Sequence, residues 1–274
     1  MSIKLDQIPS FLRSVAETEI MPRFRNLAQG EVLQKKGGET VTIADLETEK
    51  HLSRLLLDLF PGSYVIGEEK VAERPDLLNG LPDEKLVWVI DPIDGTNNFA
   101  RGSETFRTML ALLYQGETIG AWIYDPVRQI LLEAQKGEGA RLDGRPLVLS
   151  KPFPLSSSDC IGTLHGSENS DPLLAKTVQR NRDQLNVVKT LRCAGADYER
   201  LSRSETHFAL FTRLMPWDHL PGILIHQEAG GYSACLDGEE YRSHSYAKEG
   251  LLLAPNKQIW NEIRDVLLPA IPGK

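Results

Sequence analysis

Cysteine is scarce in this chain. The 274 residues hold three, Cys160, Cys193 and Cys235, far apart and odd in number. No two have CxxC spacing, which argues against a disulfide framework or a zinc knuckle and leaves buried thiols as the simplest reading. Basic residues are outnumbered: 31 Lys and Arg against 38 Asp and Glu leave a formal net charge of −7. A basic face supplies most of the affinity for nucleic acid, so the acid surplus argues against a protein that clamps nucleic acid. It leaves room for a nucleotide-sized ligand. Met1–Gln7 lacks the basic-then-apolar layout of a signal peptide. No apolar run approaches the roughly 18 residues of a membrane helix. Repeats and low-complexity tracts are missing as well. These absences point to a cytoplasmic chain without nucleic-acid or membrane partners.

What is present is ordinary globular material, 41% hydrophobic and 25% charged. Ile8, Leu12, Val15, Ile20 and Phe24 recur at near-helical spacing. A second helix runs from near Ala44 to Leu59 and stops at Pro61-Gly62. Ser63–Ile66 reads as a short strand, and the polar stretch 70–84 as an exposed loop. Leu86–Ile90 is an unbroken apolar run, the pattern of a strand covered on both faces. Residues 105–135 read as several strands divided by turns. The Ser- and Pro-rich stretch Ser150–Ser158 is the candidate junction between halves 1–150 and 151–274. Beyond it, strands at 160–164, 187–188 and 207–211 alternate with helices at 171–182, 197–202, 218–228 and 257–268, which suggests α/β architecture.

The chemistry concentrates at the end of the buried strand, Trp88-Val89-Ile90-Asp91-Pro92-Ile93-Asp94-Gly95-Thr96-Asn97-Asn98-Phe99. Two aspartates stand three residues apart across a turn stiffened by Pro92. Gly95 permits unusual backbone geometry and close approach of a ligand. If a helix begins here, the N–H groups of Gly95 and Thr96 face an anion. Carboxylates beside an anion site call for a cation between them. Like charges about 4 Å apart repel by roughly 4 kcal/mol at an effective dielectric of about 20, so such a group protonates or binds metal. Only oxygen donors are on offer, which favours Mg²⁺ over zinc.

Asp91–Phe99 closely resembles the first signature of the inositol monophosphatase family, Mg²⁺-dependent, lithium-sensitive phosphomonoesterases. Trp217-Asp218-His219-Leu220-Pro221-Gly222, running on to Glu228-Ala229-Gly230-Gly231, resembles the second. Ile66-Gly67-Glu68-Glu69 looks like the family's glutamate motif, and Val41-Thr42-Ile43-Ala44-Asp45 like its threonine/aspartate element. The resemblance implies a layered α-β-α-β-α sandwich, often dimeric. It implies that Glu68, Asp91, the Ile93 carbonyl, Asp94 and Asp218 hold two or three Mg²⁺ ions. It implies that Thr96, with Glu68 and Asp45, activates the attacking water, and that Asp94 and the N–H groups of Gly95 and Thr96 bind phosphate. Two metals can clamp the attacking and leaving oxygens of an in-line displacement. Lys35 or Lys36 can approach the site from the loop before Gly37-Gly38. Glu69 neighbours a ligand, Asp45 can cap its helix, and His219 and His226 read as packing residues.

The substrate side departs from the family. In Leu191-Arg192-Cys193-Ala194-Gly195-Ala196-Asp197, Arg192 stands where a glycine is usual, while Asp197 is retained. Phe211 takes the place, seven residues before Asp218, where inositol-type enzymes often carry a glutamate that grips hydroxyls. Arg192, Ala194 and Phe211 are thus the candidate specificity residues, and Arg192 can fork onto a second phosphate or carboxylate. The expected activity is hydrolysis of an inositol monophosphate or a related sugar or polyol phosphate. Histidinol phosphate, fructose 1,6-bisphosphate and adenosine 3',5'-bisphosphate are same-fold alternatives. A catalytically weak regulatory or binding protein is the alternative of another class.

Overall fold

A computed structural model describes residues 5–35, 37–80, 85–150, 153, 156–166 and 172–268. Helix α1 (Ile8–Val15) continues through a wider turn at Ala16–Ile20, and α2 spans Ile43–Leu59. A small hairpin, β1 (Val32–Gln34) with β2 (Thr40–Thr42), precedes α2. Strand β3 (Tyr64–Gly67) leads directly into α3 (Glu68–Glu73), and β4 (Val87–Asp94) leads into α4 (Thr96–Ala100). Strands β5 (Arg107–Tyr114), β6 (Glu117–Asp125), β7 (Ile130–Gln135), β8 (Gly139–Leu142) and β9 (Arg145–Leu147) follow. With β3 and β4 they form a seven-stranded sheet in sequence order, antiparallel except for the β3–β4 pair.

The remaining elements alternate: β10 (Ile161–His165), α5 (Pro172–Asn181), β11 (Asn186–Val187), α6 (Ala194–Ser202), β12 (Phe208–Phe211), α7 (Pro216–Glu228), β13 (Tyr232–Cys235), β14 (Leu251–Ala254) and α8 (Lys257–Leu267). Their five strands form a mixed sheet in the order β11-β10-β12-β14-β13.

Strand alternation sorts the apolar side chains into layers. Trp88 and Ile90 of β4, with Leu110, Leu112 and Trp122, pack on α1 and α2 through Ile8, Leu12, Leu52 and Leu56. Val87 and Val89, with Met109, Ala111 and Ile123, face the opposite way. They join Tyr198 of α6, Leu220 and Leu224 of α7, and Ala209, Phe211, Leu251 and Leu253 of the smaller sheet. The far face of that sheet, Phe208, Leu210 and Leu252, buries against Leu174 of α5 and Ile259, Trp260 and Ile263 of α8. The order is helices, sheet, helices, sheet, helices, which is the expected five-layer sandwich. Among the described residues no helix is long and apolar enough to cross a membrane.

Three expectations need correction. Residues 70–84 are not simply an exposed loop. Helix α3 extends to Glu73 with Val71 buried, and a 3-10 turn covers Pro75–Gly80; residues 81–84 lie outside the described residues, as does Lys36. The reason is a cap supplied from elsewhere in the chain: the Glu49 carboxylate on α2 accepts the N–H groups of Glu69 (2.8 Å) and Lys70 (3.0 Å). Strand β4 does not end at Ile90. It runs on to Asp94 with a register shift between Asp91 and Asp94, so Pro92 sits in a bulge where no ladder N–H is required. Helices α6 and α7 start earlier than their polar residues suggest, at Ala194 and Pro216. Proline at a first helical turn is in a favoured place.

The helical layer between the sheets is tight. A Cβ on Gly222 of α7 would stand 2.2 Å from the Tyr198 ring of α6. Gly222→Ala is therefore expected to destabilise the fold by about 1–3 kcal/mol through overpacking. At roughly 3 °C per kcal/mol for a chain of this size, calorimetry should show the lower melting temperature; an unchanged one would contradict this contact. His226 is buried, with Nε2 donating to the Ala254 carbonyl at 3.1 Å, and burial lowers its pKa to about 4. The unfolded chain then binds more protons between pH 6.5 and 4, so stability falls as pH drops through that window. Denaturant midpoints measured across it should change less steeply in His226→Gln than in the parent.

Candidate active site

Five acidic residues line a cleft of about 260 Å³, Glu39 and four more that supply its carboxylate cluster. Asp91 and Asp94 come from the end of β4, Glu68 from the first residue of α3, and Asp218 from the first turn of α7. The Ile93, Gly95 and Thr96 positions line the same cleft. A larger cavity, about 520 Å³, lies elsewhere beside Leu5, Pro9 and Trp122 and holds none of these groups.

Local chain geometry brings the acids together. Gly95 adopts φ +89°, in the left-handed region, and turns the strand into α4. A Cβ there would also stand 3.0 Å from the Thr105 carbonyl. Gly67 is required for another reason: a Cβ would fall 2.1 Å from the Glu49 carboxyl carbon, the group that caps α3 and so places Glu68. Glu49 lies one helical turn after Asp45 on α2, a spacing that offered a signal.

Thr96 and Asp45 form the second part of the site. The Thr96 hydroxyl lies 3.0 Å from both Asp45 Oδ1 and the Ile93 carbonyl. Asp45 is buried and also caps α2, accepting the Thr42 hydroxyl (2.5 Å) and N–H (2.8 Å) on Oδ2. The cap role and the contact to Thr96 therefore coexist, one on each carboxylate oxygen. Burial raises the Asp45 pKa to about 6, against the hydrogen bonds from Thr42.

Lys35 reaches the acids. Its ammonium stands 2.7 Å from Glu68 Oε1 and 2.9 Å from Glu69 Oε1. Glu69 is buried behind Glu68 and is not part of the cleft lining. Asp94 is held by the start of α6. Its Oδ1 accepts the Ala194 N–H at 3.1 Å, and its Oδ2 accepts the Gly195 N–H at 2.6 Å and the Cys193 thiol at 3.1 Å. The Ala194 N–H is thus engaged by Asp94. Cys193 was expected only to be buried, and so are Cys160 and Cys235.

The substrate-side candidates separate. Arg192 lines the cleft with φ +54°, a glycine-like conformation at the position where a glycine is usual in the family. Phe211 does not reach it; its ring is buried, stacked on His165 at 4.2 Å and Tyr198 at 5.2 Å. Asp197 accepts the Leu191 N–H at 3.0 Å and pairs with Arg200, so it shapes the loop that carries Arg192. His219 lies between Tyr198, whose hydroxyl is 3.0 Å from Nδ1, and the Arg213 carbonyl, 2.7 Å from Nε2. Burial lowers its pKa to about 4. Asn98, Arg101 and Arg213 are further residues of the cleft that sequence reasoning missed.

A cation fits this donor set. Asp91 Oδ1 is buried without a hydrogen-bond partner. Burial, and then the charges of Glu68, Asp94 and Asp218, push the Asp91 pKa well up; burial and the charges of Glu68 and Asp94 raise Asp218 to about 8. A bound cation would relieve that crowding. As the side chains stand, no three His, Cys, Asp or Glu groups among the described residues close on one point.

Comparison with known proteins gives the family. The family model described as "Inositol monophosphatase family" matches residues 7–269. A Pseudomonas aeruginosa protein named Nus factor SuhB is 28% identical over 91% of each chain. The Bacillus subtilis inositol-1-monophosphatase is 28% identical over 85% of this chain and 84% of its own. The solved structure of a Thermotoga maritima IMPase superposes with a TM-score of 0.79 at 25% identity, covering 96% of both chains. With its five-layer fold and its acids gathered in one cleft, the chain belongs to the inositol monophosphatase family.

Proposed function

We propose that this protein is a Mg²⁺-dependent phosphomonoesterase for a small phosphorylated metabolite, an inositol monophosphate or a related sugar or polyol phosphate. The observation that carries the reading is the convergence of Glu68, Asp91, Asp94 and Asp218 on one cleft beside the Thr96–Asp45 pair. The donors are all oxygen, which suits Mg²⁺. Glu68, Asp91, the Ile93 carbonyl, Asp94 and Asp218 would hold the metal. Asp94 retains acceptor capacity for this, because three donors use only part of the roughly four lone-pair sites of a carboxylate. When bound, the metal supplies positive charge that offsets the acids and lowers the pKa of water.

The chain's own residues do the rest. Thr96 directs its hydroxyl hydrogen toward Asp45 Oδ1 and the Ile93 carbonyl, which leaves the hydroxyl oxygen free to accept a hydrogen bond from water. Asp45, fixed by Thr42, holds Thr96 in that orientation. The Gly95–Thr96 turn offers N–H groups to a phosphate. On this reading residues 1–150 and 151–274 are two halves of the site, the second contributing Asp218 and Arg192. The homodimer, cytoplasmic location and lithium inhibition implied by the family resemblance belong to the same proposal.

A second reading has one observation behind it. Several relatives carry the name Nus factor SuhB, which is not an enzyme name. The acid surplus alone therefore does not set aside a regulatory role or a nucleic-acid partner, and catalysis has to be measured.

The purified protein should release phosphate from a monoester panel with Mg²⁺ and stop when EDTA is added. No release from any panel member would favour the regulatory reading. Asp91→Asn removes a charge from a side chain whose Oδ1 has no hydrogen-bond partner. It should lower kcat/KM by at least about 100-fold, beyond the roughly 10–100-fold typical of an outer-shell change around a metal. Its melting temperature in EDTA should be unchanged or raised, because like charges are separated. Asp94→Asn should lose activity and also lower the melting temperature, since its amide would face the N–H donors of α6.

A further inference from the structure

Three arginines stand at the rim of the cleft: Arg101, Arg192 and Arg213. Arg213 pairs with Glu39 at 2.7 Å. Arg101 and Arg192 are exposed, and neither has a carboxylate partner among the described residues. An unpaired surface arginine is ordinarily just solvated. Here hydrogen bonds tie the two segments that carry them. The Asn98 amide donates to the Leu191 carbonyl (3.1 Å), the Arg192 carbonyl (3.3 Å) and the Thr105 carbonyl (2.9 Å). Asn98 sits on α4, three residues before Arg101. One amide thus ties the Arg192 loop to the helix that leads into Arg101. Arg192 keeps φ +54°, a conformation that disfavours any side chain, at a point on the lining of the cleft that holds the acids.

We propose that this rim is a subsite for a second oxyanion, so that the substrate carries a phosphate or carboxylate group besides the scissile phosphate. The proposal rests on the phosphatase reading of the same cleft. The inner floor is acidic and accepts a phosphate only with a cation bound. The rim is already cationic and needs none. A guanidinium matches phosphate and carboxylate with parallel N–H donors. A substrate with one phosphate satisfies the floor and leaves the rim unpaired. The cleft, at about 260 Å³, is near the small end of ligand sites, which suits a compact metabolite.

The test compares matched pairs with Mg²⁺ present. Fructose 1,6-bisphosphate is set against fructose 1-phosphate, and 3-phosphoglycerate against glycerol 3-phosphate. The first pair reports a second phosphate and the second a carboxylate. In at least one pair kcat/KM should favour the member with two oxyanion groups by about tenfold or more, the worth of one charge-assisted hydrogen bond. Arg192→Gly, which suits the left-handed backbone and so should fold, is expected to bring that ratio toward one, and Arg101→Ala to lower it. Binding of 1,3-propanediphosphonate against propylphosphonate, by calorimetry, reads the same contrast without turnover. If no monoester is hydrolysed yet the diphosphonate binds more tightly and Arg192→Gly removes the difference, the phosphatase reading fails and the subsite stands. If phosphate is released but both pairs give ratios near one, the subsite is overturned and the phosphatase reading stands. A preference that survives in both arginine variants also overturns it.

Discussion

The carboxylate of Asp94, held by the first N–H groups of α6, is the contact on which the site depends. Asp94 ends the longest-buried strand of the large sheet, and α6 belongs to the layer between the two sheets. Ala194 N–H, Gly195 N–H and the Cys193 thiol all converge on it. A carboxylate at a helix N-terminus is favoured by the helix dipole as well as by these bonds. The same region is braced from behind by a buried ion network. Arg107 of β5 lies 3.0 Å from Asp125 and 2.9 Å from Glu199 of α6. Close approach of α6 to β5 is possible because Gly195 has no side chain; a Cβ there would stand 3.0 Å from Arg107.

The acids of the cleft would repel one another in the absence of opposing charge. The fold answers this partly from within. Lys35 neutralises Glu68 and Glu69 from one side, with its own pKa raised by those two acids despite burial. Asp91, at the centre, has no such partner. The gradient from a neutralised edge to an uncompensated centre marks where a bound cation would relieve the repulsion. That is a physical reason for a metal independent of family membership.

Much of this was legible in the sequence because it is local. The apolar run before Asp91 announces a strand buried on both faces, and Asp91, Asp94, Gly95 and Thr96 are neighbours in the chain. Glu68 and Asp218 could be joined to them only through family motifs, since nothing in their spacing reports proximity. Other features depend on contacts between distant segments. Glu49 caps a helix twenty residues away, and that cap turned an apparently polar loop into α3. Asn98 bonds to carbonyls more than ninety residues on. Phe211 shows a different failure. Its distance from Asp218 suggested a substrate residue, but strand alternation turns it with Ala209 toward the central helices.

The line Tyr198–His219–Arg213 carries a consequence for proton traffic. The Arg213 carbonyl can only accept, so the His219 ring must carry its hydrogen on Nε2. Nδ1 is then an acceptor, and the Tyr198 hydroxyl must point its hydrogen toward the ring. The tautomer is settled by a carbonyl, and every donor and acceptor of the imidazole is spent. The residue next to Asp218 is therefore a fixed dipole that orders the chain ahead of α7. His219, buried and absent from the cleft lining, is insulated from the cleft.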